Sequence, residues 1–464
     1  MTLIDKSAAM PLYEQLYEAY KKQILAGLLC PGTKLPATRR LAADLGIGRN
    51  TVDNAYQQLE MEGYVTAKPC SGYIINEIDL PNEVPVSNLA AVPQRLKHQT
   101  TLARYDFGSG RVASSLFPFK AWRRCILDSM DSDSLLPSYR YPHLQGEYPL
   151  RKAICDYLFS SRGIDCLPEN IVITSGLEYS IDRILGLFHT SPVVAMENPG
   201  YHTARQSFLF HGCPVVPIDV DNEGVRMDLV QASDAKLLYV TPSHQFPTGA
   251  VLSINRRLAA IEWAAKNSAY IIEDDYDSEL RYNAKPSPAL RSIDRSGRTI
   301  YLGTFSKSLS PSIRIAFMIL PDLLMEQYLD RYHKLHNSVP TLLQNALASF
   351  ITSGSYSRHI DRLRVSNKRK NGILIRELHR VFGDRATITG AGAGQHILVN
   401  IDTALSEKDL LDSAFQAGVK LHSASKYWMI TDSAPPHQVM MGYGGISAED
   451  IPPAIELLYN LWFS

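Results

Sequence analysis

The sequence predicts a two-part α/β protein, in which a small helical module closed by a β-hairpin precedes a large domain with a mostly parallel sheet. Its 464 residues exceed a typical domain of ~100–200 residues. Residues 11–78 show apolar positions at helical spacing, followed by two short strand patterns. From residue 170 onward, short apolar runs alternate with helical stretches, which is typical of parallel strands covered on both faces.

The composition excludes several classes of protein. Lys and Arg balance Asp and Glu at 47 each, so a nucleic-acid or membrane surface must be a local patch. No apolar run approaches the ~18 residues of a membrane span, and the N-terminus does not resemble a signal peptide. The six cysteines form no CxxC pair, which favours reduced thiols of a cytoplasmic protein over disulfides or a metal site.

The N-terminal module begins with a helix whose apolar stripe recurs every four residues. That stripe consists of Leu12, Leu16, Tyr20 and Ile24. Thr38 is expected to cap a second helix that stops at Gly46, and a third helix is expected over about 49–61. The segments 64–66 and 73–75 flank a Pro/Ser/Gly turn, as in a β-hairpin.

Two interpretations fit this pattern equally well. A short helix, a tight turn and a second helix with a polar start are the parts of a helix-turn-helix. Within 31–52 the only acidic residue is Asp44, against the four cationic residues Lys34, Arg39, Arg40 and Arg49. Helix starts favour the binding of phosphate. An ordinary three-helix bundle with solvated arginines satisfies the same spacing.

Specific residues favour the first interpretation. The segment KLPATRRLAADLGIGRNTVDNAYQQLEMEGYV resembles the winged helix-turn-helix of the GntR family of bacterial repressors, and the resemblance covers residues 11–78. It implies that Arg39, Arg49, Asn50 and Thr51 face DNA. It also implies that the 66–72 hairpin, with Lys68 and Gly72, is the wing. The sequence departs from the family at Gly48, where a Ser is common.

A linker is predicted between the two parts. Residues 79–105 contain three prolines and no sustained periodicity, so they are expected to be partly extended. The predicted boundaries are therefore a DNA-binding domain over 1–78, the linker over 79–105 and an effector domain over 106–464.

Polar residues follow several of the predicted strands of the large domain. Ser175-Gly176 follows the predicted strand 171–174. Glu273-Asp274-Asp275-Tyr276 follows the predicted strand 270–272. A third strand ends in a hydroxyl-rich stretch that contains Lys307, with Arg314 seven residues further on. Ligands collect at this edge of parallel sheets, where an amine, hydroxyls and a guanidinium are the parts of an imine site with a phosphate cup. Taken singly, each segment also fits an ordinary solvated turn.

Taken together in this order, TSG, NPGYH, TPSHQFPTG, EDDYD and GTFSKSLSPSIR resemble the fold-type I pyridoxal 5′-phosphate (PLP) enzymes of the aminotransferase class. Joined to a GntR module, such a domain is similar to the MocR/GabR subfamily of transcriptional regulators, and this resemblance covers nearly the whole chain. It implies a large PLP-dependent transferase domain with a mostly parallel sheet and a small C-terminal α/β subdomain.

The resemblance also implies a role for each matching residue. Lys307 would form the internal aldimine with PLP, Asp274 would pair with the pyridine nitrogen, and Tyr276 would bind the phenolic oxygen. Tyr201 would stack on the ring. The phosphate would be surrounded by Ser175, Gly176, Leu177, Thr304, Ser306 and Arg314. No residue is assigned a catalytic role.

Several positions depart from the family pattern. Glu178 replaces a common Gln and brings a negative charge near the expected phosphate. Thr203 and the pair Met440-Met441 stand near positions where relatives carry an arginine for a carboxylate. Phe246 replaces the Asn of the usual aminotransferase turn. Without an evident carboxylate clamp, the pocket is expected to be a poor transaminase site.

Three functions remain possible from the sequence. The preferred hypothesis is a bacterial cytoplasmic regulator that binds double-stranded operator DNA as a head-to-tail homodimer and senses PLP, an amine or an amino acid. A working aminotransferase with an appended DNA-binding module is the main alternative. A regulator with a degenerate pocket is the third, and the intact Asp274, Lys307 and Arg314 argue against it.

Overall fold

The computed structural model describes residues 4–6, 8, 10–69, 71–78, 103–108, 110, 113–131, 140–282 and 288–463. The chain divides into two compact units, Met1–Thr100 and Thr101–Ser464. The linker predicted over 79–105 lies outside the described residues as far as 102. Its last residue, Tyr105, already forms a strand of the second unit.

The first unit is a helix-turn-helix followed by a hairpin. Its elements are α1 (Leu12–Leu25), α2 (Thr38–Leu45), α3 (Arg49–Met61), β1 (Val65–Lys68) and β2 (Gly72–Ile75). Strands β1 and β2 are antiparallel. The apolar faces of the three helices meet in one core around Leu16, Tyr20, Val52 and Tyr56, all buried. The winged helix-turn-helix fold predicted from the sequence is thus confirmed.

The turn between α2 and α3 depends on Gly46. This glycine adopts the left-handed conformation (φ 62°, ψ 39°) and ends α2 as predicted, because a residue without Cβ enters this region at little cost. The prediction that Thr38 caps α2 is wrong. Thr38 is the first helical residue, Ala37 occupies the cap position, and no side chain caps the helix.

The second unit alternates helices and strands. Its helices are α4 (Phe119–Asp128), α5 (Tyr148–Arg162), α6 (Leu177–Leu185), α7 (His202–Phe210), α8 (Met227–Gln231), α9 (Ile254–Lys266), α10 (Leu290–Ile293), α11 (Asp322–Tyr332), α12 (Thr341–Thr352), α13 (Ser355–Phe382), α14 (Glu407–Gln416) and α15 (Ile451–Phe463). Its strands are β3 (Tyr105–Asp106), β4 (Ile171–Thr174), β5 (Val194–Asn198), β6 (Val215–Asp221), β7 (Gly224–Val225), β8 (Leu237–Val240), β9 (Tyr270–Asp275), β10 (Thr299–Thr304), β11 (Ala316–Ile319), β12 (Ala386–Thr389), β13 (His396–Ile401), β14 (Val419–Lys420), β15 (His422–Ser423) and β16 (Gln438–Gly442).

The main sheet has the order β4-β11-β10-β9-β8-β5-β6-β7. Neighbouring strands from β10 to β6 run parallel, whereas β11 is antiparallel to both β10 and β4. Strands β4, β5, β8 and β9 are buried along their whole length, because helices cover both faces of a parallel sheet. The mostly parallel fold predicted for this domain is confirmed, and the carboxyl ends of β9 and β10 lie side by side.

A smaller antiparallel sheet, β12-β13-β16-β15, forms the C-terminal part of this unit with α14 and α15. Its core contains Val399, Met441 and Leu458, all fully buried. Strand β3 pairs in parallel with β14, so the first described stretch of the unit is attached to its last third. Within the described ranges, no helix is both long and apolar enough to cross a bilayer.

Candidate functional site

A cavity of about 220 Å³ opens at the carboxyl ends of β4, β9 and β10. It is lined by Gly110, Gly176, Leu177, Glu178, Ser180, Tyr201, Thr241, Phe246, Asp274, Tyr276, Leu302, Gly303, Thr304, Ser306, Lys307, Pro311, Arg314 and Ala316. Every pocket residue predicted from the sequence is among them except Ser175. Segments far apart in sequence therefore meet in one place, as the topology requires of strand ends that share an edge.

One end of the cavity is rich in hydrogen-bond donors. Gly176 precedes α6 with φ 137°, and the guanidinium of Arg314 lies so close that a Cβ on Gly176 would approach its Nη2 to 2.4 Å. Thr304 and Ser306 also line the cavity. A helix start, hydroxyls and a guanidinium together form a site suited to an oxygen-rich anion.

Lys307 is the amine of this cavity. Burial lowers its pKa from the usual 10.5, while the nearby carboxyls of Asp277 and Asp274 oppose that shift. A lowered pKa increases the neutral fraction of the amine, which is the nucleophilic form. Gly110 packs directly against it, since a Cβ there would lie 2.4 Å from Lys307 Nζ.

Asp274 and Asp275 point to different sides of β9. Asp274 lines the cavity and accepts a hydrogen bond from the Tyr239 hydroxyl, and burial raises its pKa to about 7. Asp275 instead forms a buried ion pair with Arg162, with Nε and Oδ2 2.8 Å apart, and accepts from the Tyr301 hydroxyl at 2.6 Å. Only the first carboxyl is available to a ligand of the cavity.

Tyr276 is held by a buried histidine. Its hydroxyl oxygen lies 3.1 Å from His244 Nδ1, and the same nitrogen lies 2.9 Å from Asp277 Oδ2. Burial and the nearby carboxyl of Asp277 raise the pKa of Tyr276 well above its usual value. The hydroxyl of Tyr276 therefore stays protonated and lines the cavity as a hydrogen-bond donor.

Aromatic rings form one wall of the cavity. Tyr201 packs against Phe246, and Phe246 against Tyr427, with ring centroids 5.2 and 4.8 Å apart. Met440 is fully buried behind this wall. Among the described lining residues, Arg314 is the only arginine.

Glu197 is a fully buried carboxyl one layer below the cavity. It accepts hydrogen bonds from the backbone N–H and hydroxyl of Thr241 at 3.1 and 2.7 Å. Burial nevertheless raises its pKa from 4.5 to about 7. The folded protein therefore binds a proton here that the unfolded chain has lost, over the interval between these two values.

This linkage predicts a pH-dependent stability. The contribution of Glu197 is fully present below about pH 4.5 and is lost as pH rises through 7. At about 1.4 kcal/mol per pKa unit, its loss reaches at most about 3–4 kcal/mol. We expect the free energy of unfolding to fall less between pH 5 and 8 in Glu197→Gln than in the wild type, as measured by urea denaturation. Parallel pH profiles for the two proteins would contradict the assignment.

The first unit presents its predicted DNA-facing side chains to solvent. Arg39, Arg49, Asn50 and Lys68 are exposed, and Gly72 lies beyond the hairpin turn. Arg49 opens α3 and its Nε lies 3.3 Å from Asp53 Oδ2. Thr51 is half-buried. The cations thus lie at the starts of α2 and α3 and on the wing.

Sequence reasoning missed Gly110 in the cavity lining and several residues that hold the lining side chains in place. Tyr239 and the His244–Asp277 pair reach their partners only through the order of β8 and β9. Gly110 left no signal, because it comes close to Lys307 through the chain path and not through a motif. His244 lies within the TPSHQFPTG segment, where its position was visible although its partner was not.

The fold and the cavity define a chain that joins a winged helix-turn-helix to an aminotransferase-class domain. Residues 12–75 match the model of the bacterial regulatory proteins of the gntR family, and residues 106–394 match aminotransferase class I and II. The chain belongs to the MocR/GabR subfamily of GntR-type transcriptional regulators.

Two curated relatives align with this chain over nearly their whole length. The chain is 36% identical to the uncharacterized HTH-type transcriptional regulator YdeL of Bacillus subtilis, over 99% of this chain and 98% of the relative. It is 33% identical to the probable rhizopine catabolism regulatory protein MocR of Rhizobium meliloti, over 100% and 96%. An archaeal alanine:glyoxylate aminotransferase shares the fold, with a TM-score of 0.71, 24% identity and coverage of 77% and 90%.

Proposed function

We propose that this regulator binds PLP in the cavity of its large unit and changes its binding to operator DNA according to the state of that site. The observation that carries the proposal is the single cavity lined by Lys307, Asp274 and Arg314 in a chain that also has a winged helix-turn-helix. The effector is PLP itself or an amino compound that reacts with it.

The residues present suit each part of PLP. The donors around Gly176 and Arg314 would take the phosphate, and Asp274 would pair with the pyridine nitrogen. Lys307 would link to the aldehyde, and the Tyr276 hydroxyl would donate a hydrogen bond to the phenolic oxygen. Bound PLP supplies an aldehyde that exchanges with incoming amines and a ring that withdraws electrons. The chain supplies the orientation, the charge pairing and the aromatic wall.

We further propose that the protein acts as a head-to-tail homodimer on double-stranded DNA in the bacterial cytoplasm. The exposed cations of the first unit would contact the phosphates and base edges of an operator. Two copies would read two half-sites, as paired helix-turn-helix modules do.

A DNA titration tests the proposal. Binding of the full-length protein to a labelled fragment from its own upstream region is measured by fluorescence anisotropy, with and without PLP, against scrambled DNA. We expect specific binding whose dissociation constant changes with PLP. Absence of specific binding under both conditions, across several salt concentrations, would overturn the regulator function for this DNA module.

The aminotransferase alternative draws on the shared fold and on the intact Lys307 and Asp274. Against it, Thr203 and the buried Met440 and Met441 provide no guanidinium where relatives bind a carboxylate. Turnover of a common amino acid with a keto acid is therefore expected to stay below ~1 per second, a rate that ordinary enzymes exceed. Faster multiple turnover would favour the enzyme.

Asp274 and Asp275 give a matched pair of variants. Asp274→Asn is expected to weaken PLP binding strongly, because it removes the charge that pairs with the pyridine nitrogen, and to leave the melting temperature nearly unchanged. Asp275→Asn is expected to spare PLP affinity but to destabilise the fold by about 3–5 kcal/mol, because it leaves the buried Arg162 without its charged partner. Absorbance titration and thermal unfolding distinguish the two, and equal effects on affinity would refute this assignment.

A further inference from the structure

Glu178 faces the anion-binding end of the cavity. Its Oε2 lies 3.4 Å from Arg314 Nη2, and both side chains are about half exposed, at 53% and 55%. A Cβ on Gly176 would lie 2.4 Å from the same Nη2 and 3.3 Å from the same Oε2. The guanidinium and the carboxylate therefore meet directly above the bare Cα of Gly176.

This contact changes the charge balance of the cavity. Of the described residues that line it, Lys307 and Arg314 are the cations, and Asp274 and Glu178 are the acids. In the proposed binding mode, Asp274 pairs with the pyridine nitrogen and not with the phosphate. Glu178 is thus the acid that offsets the positive charge of Arg314 beside Gly176.

A phosphate and a carboxylate use the same face of a guanidinium. Both are oxygen anions that take paired N–H donors from arginine, and two anions at one guanidinium repel each other. A phosphate near Gly176 must therefore displace the Glu178 carboxylate from Arg314 or share the arginine with it. Either outcome lowers phosphate affinity relative to a cavity without that acid.

We propose that Glu178 competes with the cofactor phosphate for Arg314 and sets PLP affinity low enough for the occupancy of the site to follow the PLP concentration. The inference rests on the proposed function, because it presumes that PLP is the ligand. A cofactor whose dissociation constant lies far below its concentration is always bound, so the occupancy of the site does not report that concentration. A weakened phosphate contact makes occupancy itself a signal, since a ligand shifts a population only over concentrations near its dissociation constant.

The size of the effect is limited by solvent. Because both side chains are half exposed, water and salt screen the repulsion. We expect Glu178→Gln, which keeps the shape and removes the charge, to tighten PLP binding about tenfold, or about 1.4 kcal/mol. The gain should shrink as the salt concentration rises.

The experiment compares two ligands on three proteins. Wild type, Glu178→Gln and Glu262→Gln are stripped of ligand and titrated with PLP and with pyridoxal, which lacks the phosphate, and binding is followed by visible absorbance. Glu262 is an exposed glutamate on α9, paired with Lys266 and absent from the cavity lining. We expect tighter binding only for PLP on Glu178→Gln. Inorganic phosphate should also compete more strongly with PLP on that variant.

Other outcomes would overturn the inference in distinct ways. Equal tightening of PLP and pyridoxal would place the effect on the amine or the ring and not on the phosphate. Unchanged or weaker PLP binding would show that Glu178 leaves Arg314 freely or is needed to orient it. If the wild type shows no saturable PLP binding at all, the PLP-binding function fails first, and the inference fails with it.

Discussion

Lys307→Ala is expected to abolish the visible absorbance band of protein-bound PLP completely. The other lining residues carry no amine, so no imine link can form within the described part of the cavity. The fold should survive, because burial already disfavours the charged form of this lysine and its removal relieves that cost. Thermal unfolding of the variant is therefore expected to match that of the wild type.

The matched control is Lys266→Ala on the exposed face of α9, where the side chain is 71% exposed. That variant should keep the band and the effect of PLP on DNA binding. Lys307→Ala should still bind the operator, but its dissociation constant should no longer respond to PLP. A band that survives in Lys307→Ala, trapped by borohydride on another lysine, would refute the assignment.

Arg49→Ala is expected to remove operator specificity. Arg49 opens α3, whose first residues enter the major groove in this class of module, and its exposed guanidinium is oriented by Asp53. An arginine that reads a guanine discriminates by about 1–3 kcal/mol. The variant should therefore bind operator and scrambled DNA with similar dissociation constants.

Arg39→Ala is expected to act differently, because Arg39 lies on α2. In a helix-turn-helix, the helix before the recognition helix crosses the DNA backbone. Loss of a phosphate contact weakens binding to all sequences alike and lowers the salt slope by about one. Arg40→Ala is the control, since that side chain is 82% exposed and lies beside Asp44. If Arg39→Ala and Arg49→Ala both bind operator like the wild type, residues 11–78 do not read DNA.

Local patterns allowed much of this structure to be predicted. Helix bounds in the first unit, the left-handed Gly46 and the existence of β9 and β10 follow from spacing, glycine conformation and apolar runs. Such features depend on a few neighbouring residues. The end of β9 differs from the prediction, because the strand continues through Asp275 and the acidic residues expected to follow it lie within it. The wrong prediction that Thr38 caps α2 also rested on local pattern, because a threonine is compatible both with the cap position and with the first helical turn.

Contacts across the sheet were beyond that reasoning. The Tyr239 hydroxyl meets Asp274 because β8 and β9 are neighbours, and nothing in either segment states the strand order. The direction of Glu178 depends on Arg314, which lies 136 residues further along the chain. The sequence shows that Glu178 is present near the expected phosphate, whereas its contact with Arg314 is seen only in the three-dimensional structure.

Tyr105, Phe107 and Gly110 connect the C-terminal part of the second unit with the cavity. Strand β3 is hydrogen-bonded to the segment of β14, from Tyr105 N to Gly418 O and from Phe107 N to Lys420 O, each at 3.0 Å. A few residues later the same stretch reaches Gly110, against the Lys307 amine. One short segment therefore connects the C-terminal part of the second unit with the cavity amine, and any side chain at position 110 would displace that amine.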